Sequence, residues 1–315
     1  MVVRAHSVVD LSARNPNPAH RLVSTKLSLS LDRGNTFLSL GIVNLAQDGG
    51  ANADFVHETP TVVYDSADPN PNARWKLIWH KYLQINGVQN FGNSWLAMKG
   101  ASTFQGLLNA GHTETRLLAG AAYAPNDGVP ALFRAPSYCA VIAEPSAVKF
   151  NDGFGVIFHC HRSANATEAE ITLVRFRHTI FGIRQETNVL IRPGEAYAMS
   201  PYLPGELSST VAFSAPDLVE VGQDRFLLVS PMRSDGTYMG CMAIPVVSAE
   251  NPSPRRNPVS GFPVIQKYIA GEAGTMRGAC SYTTNASASG VSLSQLRLNT
   301  PGMPFQIDAT RVNLP

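Results

Sequence analysis

"ETPTVVYD", residues 58–65, sets a glutamate and a proline in front of a run of β-branched residues. Proline gives no N–H to a β-ladder, so within a sheet it stands on an edge strand, at a strand's first residue or at a bulge. A glutamate at a strand opening is aimed at whatever lies past the end of the sheet. The plan returns in "EPSAVKFNDGFGVIFH" (144–159) and in "APDLVEVGQDRFLLVSP" (215–231). Each copy has a proline with an acid within two residues, an apolar alternating run, a turn rich in Asn, Asp or Gly, and an aromatic that opens a second apolar run. The first copy closes through a longer turn, "SADPNPNAR", into "WKLIWHKYL" (75–83). Such paired runs read as β-hairpins. They recur at intervals of roughly 70–85 residues, which marks a repeat architecture.

Third strands follow in the same order: "NSWLAMKGASTFQG" (93–106), "AEITLVRFRHTIFGI" (169–183) and "GTYMGCMAIPVVS" (236–248). Two weaker units flank these. "RAHSVVDLS" with "HRLVSTKLSLSLDRGNTFLSLGIVNL" forms a first, and "GACSYTTNASASGVSLSQLRL" (278–298) forms a last. Five units of this size predict one all-β domain over 1–315, a five-bladed β-propeller with four-stranded antiparallel blades. The best helix-period stretch, "TETRLLAGAAYA" (113–124), is short.

Composition fits a globular chain. Of 315 residues, 44% are apolar and 15% charged, too apolar for disorder. Net charge is +2 with no basic block, so no nucleic-acid partner is expected. No apolar run is long enough to span a membrane. The start lacks a signal-peptide core. The expectation is a secreted or periplasmic mature form, with the cytoplasm as the other compartment. Cys139, Cys160, Cys241 and Cys280 show no metal-type spacing, and Cys160 and Cys280 read as buried thiols.

At "ETP" (58–60), "EP" (144–145), "APD" (215–217) and "STFQG" (102–106) the chain resembles the five-bladed propeller glycosidases, the family 43 arabinanases and xylosidases with their fructosidase relatives. The resemblance implies acids at the starts of innermost strands, converging on an axial pocket that takes a carbohydrate. Glycoside hydrolysis needs one carboxyl protonated and one ionised. A third acid often sets the pKa of the first. The resemblance makes Glu58, Glu144 and Asp217 the candidate catalytic residues. Glu58, in a Glu-x-Pro context, is the candidate general acid. The other two share the roles of base and modulator, in an order left open.

Hairpin geometry nominates neighbours, because a second strand returns to the rim that the first one left. It sets His80 by Glu58, His159 and His161 by Glu144, and Arg233 by Asp217. His57 directly precedes Glu58, and His6 and Arg277 mark the first and last units. With Trp79 or Trp95 close by, such a rim suits sugars. His159 and His161 share a strand face, but two ligands make a weak metal signal, and neither metal nor cofactor is expected.

"SLDRGNTF" (30–37) is similar to the Asp box of sialidases, a structural turn in which Asp32 accepts backbone N–H groups and Phe37 packs beneath. A sialidase would show several boxes and an arginine triad. Here there is one box, and "FRAP" (133–136) is a faint echo of the arginine motif. "AHS" (5–7) brings no acid to the first unit, which favours a non-catalytic carbohydrate-binding propeller as the alternative. A sialidase-like or lyase propeller completes the set.

Overall fold

The structure is a computed structural model. It describes residues 2–9, 23–32, 36–45, 47–48, 53–109, 113–162, 166–248, 250–270, 276–283, 291–298 and 306–312. Five sheets follow one another along the chain, and within each the strands lie side by side in sequence order. Sheet one holds β1 (Val2–Val9), β2 (Val23–Ser30) and β3 (Leu38–Asn44). Sheet two holds β4 (Gln47–Asp48), β5 (Ala53–Tyr64), β6 (Trp75–Ile85), β7 (Val88–Ala101), β8 (Thr115–Ala119) and β9 (Phe133–Arg134). Sheet three holds β10 (Val141–Phe150), β11 (Gly153–His161), β12 (Glu170–Thr179) and β13 (Gly182–Ile191). Sheet four holds β14 (Ala212–Val221), β15 (Asp224–Met232), β16 (Gly240–Val246) and β17 (Lys267–Ala270). Sheet five holds β18 (Met276–Thr283), β19 (Val291–Leu298) and β20 (Gln306–Val312).

The all-β expectation and the meander order therefore hold, and the blade inventory is corrected. Among the described residues, three sheets carry four or more strands and two carry three, so five four-stranded blades are not what forms. The helix-period stretch at 113–124 is also corrected. Its first half is β8, antiparallel to β7, because Leu117 and Leu118 are buried by sheet neighbours rather than by a helix partner.

The second strands β6, β11 and β15 are buried almost end to end. A strand covered on both faces reads as a continuous apolar run instead of an alternating one. The chain divides into two compact units. One is 1–31, 36–156 and 174–186, and the other is 32–35, 157–173 and 187–315. The first unit's core gathers Leu27, Val43, Leu77, Trp79, Trp95 and Leu107. The second's gathers Val219, Phe226, Leu228, Ala243 and the bonded pair Cys241–Cys280.

The cysteine reading is corrected too. Cys280 is joined to Cys241, and Cys139 and Cys160 are also disulfide-bonded, so no cysteine is a free thiol. Spacing in sequence does not reveal which Cβ atoms meet across a sheet boundary.

The prolines do not open their strands. Glu58, Thr59 and Pro60 sit in the middle of β5, where the register steps from Glu58↔His80 to Thr61↔Ile78. Thr59 has φ 46°, a left-handed value that a β-branched residue rarely takes. The same break occurs in β14 between Ser214 and Asp217, with Ala215 at φ 46°. It occurs again in β18 between Gly278 and Ser281, with Ala279 at φ 51°. In β10, Glu144 takes φ 53° directly before Pro145. A bulge leaves one residue unpaired in the ladder. That is the place in a strand where proline's missing N–H costs nothing. β1 has no such break and pairs with β2 without interruption.

The N–H groups released by the bulges are captured by serines of a preceding strand. Thr59 N donates to Ser7 Oγ of β1 at 2.9 Å, and Ala279 N donates to Ser230 Oγ of β15 at 2.8 Å. Losing a partner for a part-buried N–H costs about 1–2 kcal/mol. Ser7→Ala and Ser230→Ala should each lower stability by that amount in urea melts, whereas an exposed control such as Ser208→Ala should not. In the second unit, Cys241→Ser or Cys280→Ser should cost about 2–4 kcal/mol, because the bond closes a long loop of the unfolded chain. Differential scanning calorimetry with and without reductant reads the same effect.

Candidate active site

Glu58 and Glu144 both lie in the first unit and both are half-buried. They stand on neighbouring strands, and Ala147 N of β10 donates to Thr61 Oγ1 of β5 at 3.0 Å. Each acid is three residues before its own end of that bond, about 10 Å along its strand. Asp217 is half-buried in β14 of the second unit. Aligned on the left-handed residue, the three acids occupy three different steps. Glu58 precedes it, Glu144 is that residue, and Asp217 follows two later. The positions equivalent to Glu58 are Ala143, Ser214 and Gly278. The acid–proline resemblance of the three stretches is therefore a likeness of composition and not of position.

Glu58 is paired in register with His80, so the two share a face of sheet two. His80 is buried, its Nε2 lies 2.9 Å from Ser94 Oγ, and its ring leans on Tyr82. His57 faces the other way and is buried in the core. Trp79 donates Nε1–H to His57 Nδ1 at 2.9 Å, which puts the imidazole proton on Nε2, a buried atom with no partner. Burial, with Lys81 and Lys99 adding to it, pushes His57 down to about 3. His6 lies inside β1 and not ahead of it. Burial, then Arg4 and Lys26, push it down to about 4. In the second unit, His159 is buried with Nδ1 3.1 Å from Ser214 Oγ. Burial, then the His161 ring 4.2 Å away, hold it well below the usual histidine range.

Three expectations of a sugar-binding rim are corrected. Trp79 is wholly buried and Trp95 nearly so, so neither offers a face for stacking. Both are drawn into the core because their N–H groups find internal partners, His57 and Glu114. Arg233 is not by Asp217. Asp217 pairs with Leu228 while Arg233 lies beyond Met232, where it binds Glu206 and Ser209. The side chain of Arg277 is outside the described residues, although its backbone pairs with Arg297. In the Asp box, residues 33–35 are likewise outside them. Asp32 is exposed, and Phe37 is half-buried under the Arg4 guanidinium.

Sequence reasoning missed a polar cluster in the first unit. Asp65, Asp68 and His178 bring ligand-type atoms within 4.8 Å of one another. Lys76 fills the centre, bonded to Asp68 and 3.7 Å from Asp65, while His178 Nε2 is 2.7 Å from Asp65. The ammonium supplies the positive charge, and the cluster pins the β5–β6 turn. "YDSADPN" (64–70), with its Asx-turn residues, was the available signal.

A histidine whose folded value lies below its unfolded one destabilises the fold in acid, because the unfolded chain takes up the proton first. For His57 the loss begins as pH falls through about 6.5 and continues to about 3. Between pH 7 and pH 5 this amounts to about 2 kcal/mol. His57→Asn keeps an acceptor for Trp79 without a titrating group. Its urea midpoint should fall less than that of the wild type over the same pH interval.

No family model matches the chain, and no curated protein matches it. Solved structures do. A thermostable family-43 glycoside hydrolase matches 100% of this chain and 91% of its own at 9% identity, with a TM-score of 0.54. An α-L-arabinofuranosidase from Lactobacillus brevis matches 96% and 88% at 10% identity, TM-score 0.56. An α-L-arabinofuranosidase from Podospora anserina, solved with cellotriose, matches 99% and 87% at 11% identity, TM-score 0.53. At such identities the likeness shows the fold, and the fold is a β-propeller built of antiparallel blades.

Proposed function

We propose that the protein is a glycoside hydrolase that cleaves an oligo- or polysaccharide with Glu58 as general acid and Glu144 as the ionised partner. One observation carries the reading. Two half-buried carboxylates, one next to a left-handed residue and one on such a residue, stand on bonded neighbouring strands of one unit. Strain of about 1–3 kcal/mol per residue persists where the surroundings enforce it, and it clusters at functional sites. The propeller neighbours, glycosidases by their names, support the reaction class. Asp217, the third candidate acid, lies in the other unit.

His80, facing Glu58 across the register, is the candidate for holding a substrate hydroxyl. The depressed value of His57 leaves it neutral at working pH, so it positions and does not transfer protons. Disulfides persist in oxidising compartments, which supports a secreted or periplasmic protein. The alternative is a carbohydrate-binding propeller without catalysis. It is favoured by the unequal placement of the three acids relative to their bulges.

The test uses leaving groups. Aryl α-L-arabinofuranosides and aryl galactosides are the first substrates. Glu58→Gln should lower turnover on poor leaving groups by about 10²–10⁴-fold and on activated aryl glycosides far less, because a good leaving group departs without a proton. Glu144→Gln should abolish both. Uniform mild losses in the two variants, with sugar binding retained, would transfer the protein to the binding class.

A further inference from the structure

Sheet one has two unlike faces. Val3, Ala5, Leu27, Leu40 and Val43 pack into the first unit's core. The opposite face carries Arg4 and His6 of β1 and Lys26 of β2. His6 is directly across from Lys26, and Arg4 is one pleat further along, across from Ser28. Opposed residues of an antiparallel pair have Cβ atoms about 5 Å apart, so Arg4 and Lys26 add to burial in holding His6 neutral. All three basic side chains are half-buried, which adds a desolvation cost.

No acid answers them among the described residues. Among the described residues, no ion pair or side-chain hydrogen bond joins Arg4, His6 or Lys26 to an acid. Arg4 Nε and His6 Nδ1 are themselves buried without a partner. The Arg4 guanidinium lies over the Phe37 ring, 3.9 Å from its centroid. Buried polar atoms are nearly always satisfied, so a pair of orphans, one on Arg4 and one on a neutral histidine beside Lys26, asks for a ligand. The missing group must be negative and must accept several hydrogen bonds.

We propose that Arg4, His6 and Lys26 form an oxyanion site, which takes the carboxylate or phosphate of an acidic ligand. Guanidinium and carboxylate or phosphate match as two-pronged partners, and Lys26 adds a point charge. The site stands on the first unit alone and does not depend on the glycosidase reading.

The test is binding by the full chain, read by calorimetric titration and thermal denaturation at constant ionic strength. Inorganic phosphate and sodium glucuronate are the probes, with glucose and sodium chloride as controls. Phosphate or glucuronate should raise the melting temperature saturably, and glucose should not. The probe that binds identifies the phosphate or the carboxylate as the natural group. Arg4→Gln and Lys26→Met should each weaken that binding at least tenfold. Without anion, Lys26→Met should melt at or above the wild-type temperature, since it removes a half-buried cation from the face that also carries Arg4. No shift beyond that of chloride would overturn the proposal. So would a Lys26→Met protein that melts lower by the same margin with and without anion, because that is the signature of a merely structural lysine. Turnover is not read here, so failure of the active-site reading shows separately.

Discussion

The break at a left-handed residue in the middle of β5, β10, β14 and β18, a bulge in β5, β14 and β18, is the constraint on which the rest of the structure depends. Each needs a residue in the left-handed region, supplied by Thr59, Glu144, Ala215 and Ala279 rather than by glycine. Where the freed N–H can be followed, it finds a serine on another strand, Ser7 in one unit and Ser230 in the other. A local break in one ladder thus becomes a bond between sheets. It also turns the side chains on either side of it, which decides what the acids near each proline face.

The polar groups of the first unit divide by burial. His57 is held inside by Trp79 and stays neutral, and Lys76 is enclosed by Asp65 and Asp68. Around Lys76 each charge has its answer, while the Nε2–H of His57 is left without a partner among the described residues. Glu58 and Glu144 are only half-buried and have partners of their own, whereas on the basic face of sheet one Arg4 Nε and His6 Nδ1 have none among the described residues. Uncompensated groups at partly open positions are where a ligand gains most, because the protein has already met the cost of desolvating and orienting them.

The two disulfide-bonded cysteine pairs and the absence of free thiols agree with a chain whose sheets are tied to one another by side chains as much as by packing. In the second unit, Cys241 and Cys280 sit within the apolar core that joins β16 to β18. The bond therefore reinforces a contact that burial already favours, and its main effect falls on the unfolded chain.

By itself, the sequence determined the hairpins. Proline, the Asn, Asp and Gly turns and the apolar runs act within a few residues, so the pairing of β5 with β6, β10 with β11 and β14 with β15 is written locally. It also singled out Glu58, Glu144 and the register of Glu58 with His80. Tertiary structure decided the rest. A one-residue bulge shifts every later side chain to the other face, so an acid two residues from a proline and an acid next to one are not equivalent. Trp79 became core, and Arg233 left Asp217 for Glu206, because burial and partner choice depend on chain segments far apart in sequence. The pairing of Cys241 with Cys280 and the gathering of Arg4, His6 and Lys26 on one face were hidden for the same reason. Each is a relation between strands, and a linear pattern shows only what one strand brings.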